Sequence, residues 1–317
     1  MTHNVVRSKN RRRLGYTGAA IVAVGLLATG STFAFADTPT TSEAAAPQST
    51  TLCGASFLIE PEYGDKSYQD AFNRLDKAYG LESVRVFYSG LPRDWPGRFD
   101  SGALTTTVSF KAAPKDITSG RHDALLTKWF ADAPTDRDIY WSYYHEPEDN
   151  IAKGEFTAAD YRAAWKHLVT LADTADNPRL SATLILMGWS LEPGSGRDWK
   201  DYFPGSDVID VLAWDTYNDI HADPDSYLSP EELFGKSVAA NKEVGLPFAI
   251  AETGSDLVPG DDGTGRAAWI TEVADYLTEQ NALWVQYFDV DFTDHGFTDF
   301  RIRDAAGQAA WRDFCSA

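Results

Sequence analysis

Short apolar segments alternate with amphipathic segments along most of this chain. Eight of the apolar segments are nearly continuous hydrophobic runs, the pattern of parallel β-strands that are covered on both faces. We predict these strands at Leu52–Ile59, Ser83–Tyr88, Thr105–Phe110, Ile139–Tyr144, Leu180–Met187, Val208–Trp214, Pro247–Ala251 and Leu283–Phe288.

The segments between these strands predict amphipathic helices. Stretches such as "YQDAFNRLDKAYG" and "AADYRAAWKHLVTLAD" carry apolar residues near positions i, i+3, i+4 and i+7. The segment after the fifth strand, "SLEPGSGRDWKDYF", has the weakest helical pattern and is mostly typical of a loop. Eight strand–helix units in about 265 residues predict the α/β class and a single-domain (β/α)8 TIM barrel.

A doubly wound parallel sheet is the alternative fold. Such sheets often carry a glycine-rich phosphate-binding turn after the first strand, whereas "LCGASF" offers one glycine. We therefore expect no nicotinamide and no other cofactor. No spacing of histidine or cysteine predicts zinc, and five aspartates that could suggest calcium do not form a ligand loop: Asp149, Asp261, Asp262, Asp289 and Asp291.

The first 36 residues have the pattern of a secretory signal peptide. Five basic residues precede an apolar run, and Ala34-Phe35-Ala36 fits cleavage after Ala36. A general secretory signal explains the basic start, while Arg11-Arg12 leaves the twin-arginine route open. Residues 37–51 are rich in Ser, Thr, Ala and Pro and predict a flexible leader. We expect an extracellular protein whose folded domain spans residues 52–317.

The acidic charge of the chain excludes several classes of partner. It has 28 basic and 47 acidic residues, and the predicted signal peptide carries five basic residues and no acidic one. The remaining net charge of −24 repels phosphate backbones and anionic membranes, so we expect neither nucleic acid nor membrane as a partner. We also expect a monomer. The 10 Trp, 14 Tyr and 17 Phe leave open a large core or sugar-stacking surfaces.

The two cysteines, Cys53 and Cys315, lie at opposite ends of the predicted domain. In an exported protein an even pair favours a disulfide. This bridge requires the first and last elements to be neighbours, which a closed barrel provides.

Candidate chemistry lies at the ends of the predicted strands, where (β/α)8 barrels carry their active sites. The fourth strand ends in His145-Glu146 and the seventh reaches Glu252, a pair that fits the two-carboxylate requirement of glycoside hydrolysis. Arg85 within the second strand needs a carboxylate partner, for which Glu252 is the natural candidate. Arg85 would keep Glu252 ionised, whereas the aromatic surroundings of Glu146 would keep it protonated. Pro147 should hold Glu146 in an extended conformation.

These motifs resemble a known family. "YYHEPE", followed 106 residues later by "AIAETG", resembles the retaining clan of glycoside hydrolases built on (β/α)8 barrels. Histidine before the first glutamate is most similar to glycoside hydrolase family 26, which includes β-mannanases, mixed-linkage glucanases and β-1,3-xylanases. "VSFK", "SGRHDALLTKWF" and "WDTY" also resemble segments of that family.

The resemblance implies roles for individual residues. Glu146 would be the acid/base and Glu252 the nucleophile, with Tyr217 donating a hydrogen bond to Glu252 and His145 contacting a sugar hydroxyl. The chain departs from the family after His-Glu, where family 26 mannanases usually continue Met-Asn-Gly and this chain has "PEDN". Mannan specificity is therefore not carried over.

Each candidate also has a purely structural interpretation. His145 could be a hydrogen-bonded core residue, Tyr217 a packed barrel tyrosine and Arg85 a structural ion-pair member. In the last strand we name Trp284 as a substrate-binding candidate, although Tyr287 and Phe288 are also available. We expect no chemical role for two further acids, Asp215 and Glu148.

The sequence thus predicts a secreted retaining glycosidase that cleaves β-linked mannan, glucan or xylan in an endo fashion, with a polysaccharide or oligosaccharide as substrate. The alternative is a (β/α)8 barrel that binds glycans without cutting them.

Overall fold

The computed structural model describes residues 51–218 and 225–317. The predicted signal peptide and residues 37–50 of the predicted leader lie outside the described residues. Eight parallel strands pair in chain order and close into a barrel, because β8 pairs with β1. The strands are β1 Leu52–Phe57, β2 Ser83–Phe87, β3 Thr105–Phe110, β4 Ile139–Tyr143, β5 Leu180–Met187, β6 Val211–Asp215, β7 Phe248–Thr253 and β8 Trp284–Asp289.

Helices surround the barrel, and the predicted (β/α)8 fold is confirmed. In the described ranges the α-helices are α1 Tyr68–Tyr79, α2 Pro114–Thr118, α3 Asp123–Ala131, α4 Glu148–Ala152, α5 Ala158–Ala172, α6 Pro230–Val244, α7 Thr264–Glu279 and α8 Ala305–Phe314. Their distribution is less regular than eight identical units. Two helices follow β3 and two follow β4, whereas no α-helix lies between β2 and β3 or between β5 and β6, whose connections are fully described.

The β5–β6 connection is built from short 3-10 turns, in agreement with its weak helical pattern. These turns lie at Gly188–Leu191, Pro193–Ser195 and Trp199–Asp201. Proline and glycine in "EPGSG" oppose a continuous α-helix. The regular helices instead have strong start signals: capping boxes begin α5 at Thr157 and α6 at Ser229.

Most of the aromatic residues pack between the barrel and its helices. Trp141 on β4 contacts Trp165 of α5 at 5.2 Å between ring centroids and Phe130 of α3 at 4.9 Å. The Trp214 indole on β6 donates a 2.8 Å hydrogen bond to the side chain of Asn241 in α6. A large core therefore explains much of the aromatic content.

The barrel interior changes from apolar to polar along the strand direction. An apolar cluster comprises Tyr140, Ile185, Val211, Ala213, Ala249, Ala251 and Trp284. The Gln286 amide, two residues further along β8, donates to the Thr107 hydroxyl at 3.2 Å and the Ser83 hydroxyl at 3.4 Å. Arg85 follows Ser83 by two residues on β2, which brings a charge to the next level of the interior.

Trp284 belongs to the apolar end of the barrel. It is the first residue of β8, is 0% exposed and packs against Tyr140 of β4 at 5.5 Å between ring centroids. Since β4 and β8 lie on opposite sides of the barrel, this contact fills the interior at the end away from the carboxyl termini of the strands. The prediction that Trp284 contacts substrate is therefore wrong.

Cys53 and Cys315 form a disulfide, as predicted, with 5.1 Å between their Cα atoms. Cys53 lies on β1, beside β8, and Cys315 follows α8. The bridge therefore links the first strand of the barrel to the segment after its last helix. Among residues 51–218 and 225–317, no helix is long and apolar enough to cross a bilayer, and no group of His, Cys, Asp and Glu side chains is arranged to hold a metal ion.

We predict that replacing both Cys53 and Cys315 by serine will lower the free energy of unfolding by up to about 5 kcal/mol, because the bridge closes a very long loop in the unfolded chain. Urea unfolding followed by tryptophan fluorescence checks this. Reduced wild-type protein is the control and should match the variant. Equal unfolding midpoints for the variant and the oxidised wild type would contradict the prediction.

Candidate active site

Arg85 is the centre of a buried ionic network that spans the barrel interior. Its Nη1 lies 2.8 Å from an oxygen of Asp215 and 3.0 Å from an oxygen of Glu252, and Arg85 is only 1% exposed. The predicted contact with Glu252 is present. Asp215 at the end of β6, for which we expected no role, is a second partner. The network therefore links β2 to β6 and β7.

The surroundings of Arg85 keep it charged. Burial alone would lower the pKa of Arg85, but the negative charges of Asp215 and Glu252 raise it above its ordinary value. The guanidinium also lies 4.6 Å from the centroid of the Phe87 ring, an additional favourable contact for a cation. A permanent positive charge is thus fixed beneath both acids.

The Glu252 carboxylate has a donor on each oxygen. Arg85 contacts Oε1, and the Tyr217 hydroxyl donates a hydrogen bond to Oε2, the bond that the resemblance implies. Burial and the charge of Glu252 raise the pKa of Tyr217, so this hydroxyl keeps its proton and remains a donor. These two contacts fix the orientation of the Glu252 side chain.

Irregular strand pairing accompanies the position of Glu252. The sequence pattern ended the seventh strand at Ala251, but β7 continues to Thr253, and its pairing with β8 shifts register between Ile250 and Thr253. A second register shift lies in the pairing of β6 with β7, between Trp214 and Asp215. Such irregularities re-aim side chains at the rims of barrels.

Glu146 lies just beyond β4 with an unusual backbone conformation. Its φ is +50° and that of Tyr144 is +49°, both in the left-handed region that non-glycine residues rarely adopt. The expectation that Pro147 holds Glu146 extended is therefore wrong. The Glu146 N–H donates a 3.1 Å hydrogen bond to the Ile185 carbonyl of β5, which stabilises this conformation.

Glu146 is surrounded by other acids. Burial raises the pKa of Glu146 well above its ordinary value, and the negative charges of Asp215, Glu252 and Glu148 raise it further. These effects favour the protonated form of the half-buried Glu146 carboxyl group. Glu146 and Glu252 both lie at the carboxyl end of the barrel, and the charge of Glu252 acts on Glu146.

His145 lies at the same end of the barrel, directly before Glu146. It is half-buried, its ring centroid is 5.5 Å from that of Phe87, and in the described part of the chain its Nδ1 has no hydrogen-bond partner. Burial and the nearby charges of Arg85 and Lys111 lower the pKa of His145 well below its ordinary value. The ring is therefore neutral, and its Nδ1 is buried. A core histidine with satisfied hydrogen bonds does not fit this geometry.

Two further residues of the site were missed in the sequence. Lys111, one residue beyond β3, places its ammonium 4.9 Å from the centroid of the Tyr144 ring, and its charge acts on Glu146. Glu148 is fully buried in the first turn of α4. The position of Lys111 at a strand end was a usable signal, whereas no local pattern distinguishes Glu148 from an ordinary loop acid.

Comparisons with solved structures support the fold. The chain is similar to a glucosidase from Croceicoccus marinus with a TM-score of 0.59 and 14% identity, covering 84% of this chain and 68% of that one. It is similar to the family 26 domain of an endo-β-mannanase/endo-β-glucanase from Prevotella bryantii with a TM-score of 0.57 and 9% identity, covering 85% and 89%. A third similar structure is a family 26 protein from a Muricauda species, with a TM-score of 0.55, 15% identity and coverage of 85% and 86%.

At these low identities, the TM-scores show a shared fold alone. No protein-family model matches the sequence, and no curated protein matches it. The chain therefore has the barrel architecture found in family 26 glycoside hydrolases, and its chemistry must be argued from its own residues.

We predict that Arg85→Met will lower the free energy of unfolding by about 3–5 kcal/mol at neutral pH, because Asp215 and Glu252 then face each other buried and unpaired. Urea unfolding measures the loss. Arg179→Met is the matched control: Arg179 pairs with Asp138 at the surface, so its loss should cost no more than about 1 kcal/mol. Equal losses in the two variants would contradict a special role for the buried pair.

Proposed function

We propose that this protein is an exported, retaining glycoside hydrolase that cleaves β-linked polysaccharide. The observation that carries the proposal is the contrast between two neighbouring carboxyl groups. Glu252 is held in place by Arg85 and Tyr217, whereas burial and the neighbouring acids favour the protonated form of Glu146. Retaining glycosidases need one carboxylate nucleophile and one protonated carboxylic acid.

In the first step, a Glu252 oxygen attacks the anomeric carbon while Glu146 donates its proton to the departing glycosidic oxygen. The carbon–oxygen bond to the leaving sugar breaks as the bond to Glu252 forms. In the second step, Glu146 takes a proton from water, whose oxygen displaces Glu252 from the anomeric carbon. Two inversions at this carbon retain its configuration.

Arg85 and Tyr217 would prepare Glu252 for this reaction. Their hydrogen bonds fix its orientation before substrate arrives, which reduces the reorganisation needed in the transition state. They also stabilise Glu252 as a leaving group when water releases the sugar. Neutral His145, which directly precedes Glu146, would contact a substrate hydroxyl, the role that the family resemblance implies.

One exposed aromatic side chain at the rim of the barrel supports a carbohydrate substrate. Trp189 lies two residues beyond β5, at the end of the barrel that carries Glu146, and is 53% exposed. An exposed indole face is suited to stack on a sugar ring. Because "PEDN" replaces the usual family sequence after His-Glu, we propose a neutral β-mannan, β-glucan or β-xylan backbone, cleaved internally, without preference among them.

A barrel that binds glycans without cutting them is the second candidate. Such a protein could keep Trp189 and His145, but it would have no need for two acids held in opposite protonation states. The Arg85 network, whose burial is costly without function or full pairing, favours the hydrolase. Reducing-sugar release and pull-down with one polysaccharide panel separate the two, since binding without release would favour the second candidate.

We predict that Glu252→Gln and Glu146→Gln will each reduce kcat/KM on a cleaved polysaccharide by at least about 10³-fold, or about 4 kcal/mol of transition-state stabilisation. Glu272→Gln, on the exposed face of α7, is the matched control and should retain wild-type activity. Proton NMR of early products should show a retained β-anomer. Wild-type hydrolysis by Glu252→Gln would refute the assignment of the nucleophile, and an inverted product would refute retention.

A further inference from the structure

Glu148 is a buried carboxyl group in an unexpected place. It follows Glu146 by two residues, begins α4 and is 0% exposed. Its Oε1 accepts hydrogen bonds from the Met187 N–H at 2.8 Å and from the Ser190 hydroxyl at 3.0 Å. Its Oε2 is buried and has no hydrogen-bond partner within the described ranges.

These bonds join the segment that carries Glu146 to the end of β5. The Glu146 N–H bonds the Ile185 carbonyl, and Glu148 bonds the Met187 N–H two residues further on. The end of β5 is itself tightly packed, since a Cβ added to Gly188 would lie 2.3 Å from the Thr216 hydroxyl beyond β6. Glu148 therefore anchors the Glu146 segment to a rigid part of the barrel rim.

If the Glu148 side chain only held the two segments together, burial of its carboxyl group would be energetically unfavourable. Only one of its oxygens is used, and burial of an ionisable group with an unpaired oxygen is unfavourable. A glutamine at the same position could accept both hydrogen bonds through its Oε1 without carrying a charge. The presence of a carboxyl group at this position therefore indicates that its ionisation has a role.

We propose that Glu148 is a positioning residue for Glu146, which anchors the segment after β4 to β5 and, by its own ionisation, controls how firmly Glu146 holds its proton. This inference rests on the proposed function, because it assigns a second residue to the acid/base step. It involves no bond-making by Glu148 itself.

The groups around Glu148 give the sign of the effect. Burial raises the pKa of Glu148 to about 7, against its hydrogen bonds and the charge of Arg197, which also pairs with Asp149. The other titratable groups that face Glu148 are Glu146, Tyr161 of α5, Tyr202 and, at the end of β6, Asp215. As pH rises through this range, Glu148 becomes negative and strengthens proton binding by Glu146. The acid form of Glu146 therefore persists to higher pH.

The test compares wild type with Glu148→Gln, which keeps both accepted hydrogen bonds and removes the charge. Carbon-13 NMR of glutamate carboxyl groups, with the Glu146 signal assigned by its loss in Glu146→Gln, follows the titration directly. We expect the Glu146 midpoint to move to lower pH in Glu148→Gln, by on the order of 0.5–1 pH unit. The alkaline limb of kcat/KM should move by the same amount. An unchanged midpoint would overturn the proposal.

A second comparison isolates the anchor. Glu148→Ala loses both hydrogen bonds as well as the charge, so kcat should fall in Glu148→Ala more than in Glu148→Gln at a pH where Glu146 is protonated. Equal values of kcat in these two variants would overturn the anchoring role. If Glu148→Gln fails to fold, the wild-type titration decides: the Glu146 signal must respond to the ionisation of Glu148, and a single independent step overturns the coupling. The NMR titration needs no substrate, so inactivity on every glycan would refute the proposed function and leave this test intact.

Discussion

One positive charge, buried inside a closed barrel, determines the arrangement of the site. Arg85 can occupy the interior only because Asp215 and Glu252 approach it from strands on the far side of the barrel. Two acids already face this single positive charge, so burial and their negative charges together disfavour a further negative charge on Glu146. The protonated form of Glu146 is thus favoured by the same acids that hold Arg85 in the barrel core.

The barrel interior supports this arrangement by a change in polarity along its axis. Apolar residues including Trp284 and Tyr140 fill the N-terminal end, and the Gln286 amide with its hydroxyl partners separates them from the ionic network. The charged groups are therefore confined to the C-terminal end of the strands, where (β/α)8 barrels meet their ligands. The disulfide between Cys53 and Cys315 links β1, which pairs with β8 to close the barrel, to the end of α8.

Strand periodicity was sufficient to predict the barrel because every strand is a short apolar run whose burial on both faces leaves a clear pattern. The same pattern puts Trp284 second in the predicted last strand, away from the carboxyl end, so its assignment to the substrate site disagreed with the strand prediction itself. Asp215, 130 positions after Arg85, was missed because the sequence does not report that this arginine contacts a second carboxylate besides Glu252. Glu148 was missed because its burial arises from the packing of α4 against the end of β5, which no local pattern reports.

The most direct test of the account is to trap the proposed covalent intermediate. A 2-deoxy-2-fluoro glycoside of a sugar that the enzyme cleaves slows release of the glycosyl group, so the intermediate accumulates on the nucleophile. Mass spectrometry of the digested protein should find one sugar on the peptide that contains Glu252, and none on that peptide in Glu252→Gln. A label on a different carboxylate, or turnover with inversion and no label at all, would contradict the account.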